Sequence, residues 1–155
     1  MTVAMTQDHW DYSGAPMVGP GYVTSGGLVQ AVQQMIACTG EYSLTIDGIY
    51  GPQTEAAIKW WQGKNGLTKD GIVGPHTWYS FWKGLTRDYR EDSPHYDSYK
   101  WSPPFGATWR TLGYRFYYRR VTNYHLSGPD TEWAYYNENK SAYYWMDNGV
   151  HKATE

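Results

Sequence analysis

One phrase of the 155-residue chain occurs twice, and it limits the fold more than any other feature. Asp47-Gly48-Ile49-Tyr50-Gly51-Pro52-Gln53-Thr54 returns as Asp70-Gly71-Ile72-Val73-Gly74-Pro75-His76-Thr77, with Asp, Gly, Ile, Gly, Pro and Thr in the same places. Asp-Gly makes a tight turn: the carboxylate can accept backbone N–H bonds and Gly can take φ > 0. The Ile that follows is expected to be the apolar plug. Gly-Pro starts a helix, because Pro presets φ where its missing N–H costs nothing. The Thr behind it is expected to help satisfy the unpaired N–H groups of that helix start. Two such devices predict a pseudo-symmetric pair of helices on a shared core.

The flanking pattern supplies three helices. Leu28, Val32, Met35 and Ile36 recur at i, i+4, i+7 and i+8 after a Ser25-Gly26-Gly27 start, and Thr39-Gly40 ends that helix. A second helix opens at Pro52 and runs through Ala57, Ile58 and Trp61 to about Lys64, before Asn65-Gly66. A third opens at Pro75 and carries Trp78, Phe81 and Trp82 until Gly84.

This stretch resembles the peptidoglycan-binding domain family of three-helix modules found in bacterial cell-wall hydrolases, spore enzymes and their phages. The matching residues are the helix Leu28–Ile36, the run from Leu44 through Asp47-Gly48-Ile49-Tyr50-Gly51-Pro52 to Ile58, the Trp61-Gln62 pair, Asn65-Gly66-Leu67, and Asp70 to Trp78. The resemblance implies a module that binds the wall polymer without catalysis of its own. Trp60 departs from it, standing where the family usually has a small residue, so its ring should point away from the core. A peptide stem and an amino sugar offer amides, a carboxylate and an apolar sugar face. Tyr50, Gln53, Trp60, His76 and Trp78 are the candidate ligand-binding residues at the rim of the two turns, although Trp78 fits the core better. Asp47 and Asp70 read as turn formers rather than metal ligands.

Outside this module the chain changes character. Residues 1–25 carry Gly14, Pro16, Gly19, Pro20 and Gly21, which deny them helix and central strand, and predict an extended arm ordered only by packing against something. Residues 85–155 hold 17 of the 28 aromatics. There Leu112, Tyr114, Phe116 and Tyr118 alternate with polar positions, and turns at Ser127–Asp130 and Asn137–Lys140 set off Thr131–Asn137 and Ala142–Met146. The expectation is an antiparallel meander of about three strands, with a possible further strand near Tyr99–Trp101. The fold class expected for the whole chain is therefore α+β: an arm (1–25), a three-helix domain (26–84) and a β region (85–155).

Charge and cysteine content narrow the function. Thirteen Lys and Arg against 15 Asp and Glu give a net charge of -2, which lacks the basic footprint of a nucleic-acid binder. The patch Arg115, Arg119 and Arg120 reads as cross-strand pairing rather than a phosphate site. No run is long and apolar enough for a membrane helix, and the first residues do not read as a secretory signal. Cys38 has no His near it in sequence, and His9, His76, His95, His125 and His151 are scattered with no metal-ligand spacing. The sequence thus predicts a non-enzymatic protein without metal or cofactor. Its expected partners are peptidoglycan and, through the arm and the β region, other subunits of a phage virion or similar particle. The competing expectation is a structural assembly or decoration protein that reuses the same module without wall binding.

Overall fold

The first helix of the chain carries no charged residue, and its burial accords with that. In the computed structural model, which describes residues 16–87, 96–101, 114–119, 133–137 and 142–145, α1 spans Gly27–Cys38 and all but one of its residues are buried. It ends where Gly40 takes φ 74°, with Thr39 Oγ1 donating to Ile36 O at 2.7 Å. The helix α2 (Pro52–Lys64) and the helix α3 (Pro75–Trp82) each begin with the expected Pro after a Gly N-cap. Their inward faces meet α1 in one core: Leu28, Val32, Met35 and Ile36 from α1, Ala57, Ile58 and Trp61 from α2, Trp78 and Phe81 from α3. Trp61 stacks on Phe81 with ring centroids 4.4 Å apart, and Phe81 meets Trp78 edge-on at 6.2 Å. Among the described residues no helix is long and apolar enough to cross a membrane.

Residues 16–25 pack against the helices of their own chain. Val18 is fully buried in the helical core and pairs with Val73 (Val18 N to Val73 O 3.2 Å, Val73 N to Val18 O 2.8 Å). Trp78 Nε1 donates to Pro16 O at 2.8 Å. Further on, Tyr50 N donates to Thr24 O at 2.9 Å and Gly26 N to Gly48 O at 2.8 Å. The Gly and Pro residues that forbid a helix leave this segment free to thread along both Asp-Gly turns of its own chain. Residues 1–15 lie outside the described residues.

The α+β expectation needs correction. Residues 16–84 hold three helices and no strand beyond isolated bridges, and their core is built by the helices together with Val18, Val23 and Val73. The meander of about three strands expected over residues 85–155 is not supported. Past α3 the backbone is described in five short segments, β1 Leu85–Arg87, β2 Tyr96–Trp101, β3 Tyr114–Arg119, β4 Trp133–Asn137 and β5 Ala142–Trp145, each antiparallel to the next. Tyr144, the one side chain described there, packs against the helical core. The alternation read from the sequence reports local backbone preference. It cannot say whether a second core closes.

Candidate functional site

Each Asp-Gly turn is held from below by a glutamine of the preceding helix. Gln33 Nε2 of α1 donates to Thr54 Oγ1 (2.9 Å), Asp47 Oδ1 (3.1 Å) and Ile49 O (3.2 Å), while its Oε1 accepts from Gly48 N (2.8 Å). Gln62 of α2 repeats the arrangement, with Nε2 donating to Asp70 Oδ1 (2.8 Å), Ile72 O (3.0 Å) and Thr77 Oγ1 (3.1 Å), and Oε1 accepting from Gly71 N (3.0 Å). A carboxamide suits this place because it donates and accepts at once. The aspartates close the turns themselves: Asp47 Oδ1 accepts from Ile49 N at 3.0 Å and Asp70 Oδ1 from Ile72 N at 2.9 Å. Gly48 and Gly71 sit at φ 74° and 75°, where a side chain is strained, and a Cβ on Gly48 would stand 3.1 Å from Gly26 O.

Two details of the repeat differ from the sequence reading. The threonines are not caps, since neither α2 nor α3 has a side-chain cap bond. Each lies inside the first turn and faces the glutamine, Thr54 Oγ1 also donating to Ile49 O at 3.2 Å. Nor is Ile49 a plug: it is 60% exposed. The next residue turns inward instead, because its backbone is paired with residues 18–24, so that Val73 is fully buried and Tyr50 half-buried.

Tyr50 ties the two turns together, its hydroxyl donating to Gly71 O. Burial, with the nearby charges of Glu55 and Asp70, pushes its phenol up to about 12. A phenol that ionises near 10 in the unfolded chain but higher in the fold leaves stability constant below pH 10. Stability then falls between pH 10 and 12, where the unfolded chain has released a proton that the folded chain keeps. Subtracting the ultraviolet titration of Tyr50→Phe from that of the wild type is expected to leave one phenol with its midpoint near 12. A midpoint near 10 would show that the hydroxyl is open to water.

Beside the second turn lies a groove of about 580 Å³. Met17 and Tyr22 of the N-terminal segment line it, with Leu67 and Thr68 after α2, Asp70 and Ile72 of the turn, and Gly74 to Thr77 at the start of α3. Tyr22 is 52% exposed, so its ring is available. Helix geometry leaves the first N–H groups of α3 without intrahelical acceptors.

The five rim residues expected from the sequence do not come together. His76 lines the groove and is exposed. Tyr50 is spent on the contact between the turns. Gln53 is exposed on α2, its Oε1 accepting from Thr45 N at 2.9 Å. Trp60 is half-buried, leaning on Tyr42 at 5.1 Å with Lys64 Nζ 5.9 Å from its ring centre. Trp78 is at 0% exposure, which removes it from any ligand. Tyr22 and Asp70 are groove residues that the sequence reading did not assign. No signal along the chain puts Tyr22 beside a turn 50 positions away, since only the threading of residues 16–25 does so.

The repeat, both glutamine braces and nearly all of the three helices lie within one matched segment. Residues 25–80 match the family described as "Putative peptidoglycan binding domain". No curated protein and no solved structure matched the chain.

Proposed function

We propose that the chain holds the cell-wall polymer in the groove beside the second Asp-Gly turn and does not cleave it. What supports this reading is a concave site, inside a peptidoglycan-binding segment, that joins an exposed ring (Tyr22), apolar walls (Leu67, Ile72) and polar groups (Asp70, His76). Absence of catalysis is read from the scattered histidines and from Cys38, which is buried at the end of α1. Purified sacculi should pellet the protein, and Tyr22→Ala and His76→Ala should each weaken pelleting about tenfold, the effect of a ring or anchor lost from a contact centre. Gln53→Ala should pellet as the wild type does. Equal pelleting of all three variants would discard the groove, and a cleared band on a wall zymogram would discard the non-catalytic reading.

We read the whole chain as one component of a phage virion or similar particle, with the aromatic-loaded residues 85–155 meeting other subunits. The exposed Ile49 and Tyr79 favour, as a second reading, a purely structural role in which the three-helix unit docks on protein. Failure of the wild type to pellet with sacculi would favour that second reading.

A further inference from the structure

Resting on the wall-binding reading, we infer that the groove recognises a primary ammonium on the wall polymer, carried by the diamino acid of the stem peptide, with Asp70 as its counter-ion. Among the described residues, Asp70 is the one acidic side chain lining the groove, and no Lys or Arg lines it. The Asp70 carboxylate is the group there that a ligand cation can meet. The carboxylate is fixed before any ligand arrives, because Oδ1 accepts from both Gln62 Nε2 (2.8 Å) and Ile72 N (2.9 Å). Oδ2 makes no hydrogen bond among the described residues, and Asp70 is exposed. A pinned carboxylate with one open oxygen pairs with an ammonium without losing side-chain freedom at the moment of binding. Leu67 and Ile72 flank it and suit the methylene stem of a diamino side chain better than a hydroxyl-covered ring. Deacetylated glucosamine is the other wall source of a primary ammonium.

Asp47 provides an internal control, since it is pinned in the same way by Gln33 and Ile49 N. Asp70→Asn keeps an acceptor oxygen for Gln62 and Ile72 N and removes only the charge. The binding of a lysine-containing stem peptide to the full chain is measured by calorimetry, beside the same peptide acetylated at the lysine amine and a glucosamine disaccharide. Acetylation and Asp70→Asn should each weaken binding about fivefold, the upper range for a solvent-reachable ion pair. Asp47→Asn should leave it unchanged, and added salt should erase the difference. Equal affinity for the acetylated peptide, or equal loss in Asp47→Asn, would overturn the inference. Preference for the glucosamine disaccharide would overturn the peptide assignment. Wild-type chain that pellets with sacculi but ignores the peptide would sink this inference alone, whereas chain that does not pellet sinks the wall-binding reading itself.

Discussion

Trp61→Ala is expected to remove about 3–5 kcal/mol of stability, enough to leave the three-helix unit largely unfolded at room temperature. The indole is at 0% exposure, stacks on Phe81 at 4.4 Å and 9°, and donates from Nε1 to Ser80 Oγ at 2.8 Å. Ser80 Oγ in turn donates to Thr77 O at 2.6 Å, so the ring joins α2 to the start of α3 as well as filling space. Removing it opens a large cavity and deprives Ser80 of its donor. A core assembled from three short helices has little reserve against such a loss. Trp61→Phe, which keeps the stacking and gives up the hydrogen bond, should cost only about 1–2 kcal/mol. Urea melts followed by circular dichroism measure both. A Trp61→Ala midpoint equal to the wild type would remove Trp61 from the core.

Gln62→Leu should cost about 3 kcal/mol or more, although it nearly preserves volume and adds apolar surface. The side chain is 1% exposed and serves four partners: Asp70 Oδ1, Ile72 O, Thr77 Oγ1 and Gly71 N. Leucine would strand the buried Gly71 N–H and Thr77 Oγ1, while Asp70 Oδ1 and Ile72 O keep the N–H groups of Ile72 and Gly74, and each orphaned group costs about 1–3 kcal/mol. Gln62→Glu sharpens the test. It keeps an acceptor for Gly71 N but sets a second carboxylate against Asp70 Oδ1, so its deficit should shrink as pH falls and one of the pair takes a proton. An unshifted Gln62→Leu melt, with amide exchange at Gly71 as slow as in the wild type, would show that the glutamine does not brace the turn.

The sequence announces the helices because their signals are local. Pro52 and Pro75 set helix starts, Gly40 and Asn65-Gly66 set stops, and the observed limits fall at these marks. The braces are illegible for the opposite reason. Gln33 and Gln62 stand 15 and 9 positions before the glycines they hold, a relation that exists only once the helices are packed. The same distinction accounts for the errors. Nothing local tells that Ile49 faces water while Tyr50 faces inward, since backbone pairing with residues 18–24 decides it. The Gly/Pro content of residues 16–25 correctly excludes a helix but says nothing about where an irregular segment will lie.

That segment makes the limits of the fold and of the family diverge. The shared region begins at residue 25, yet Val18 and Pro16, both upstream of it, close the flank of Val73 and accept the indole proton of Trp78. Tyr22, upstream too, walls the groove. A unit cut at residue 25 would forfeit a strap and one side of its cleft together, so its folding is written partly in residues outside the matched segment.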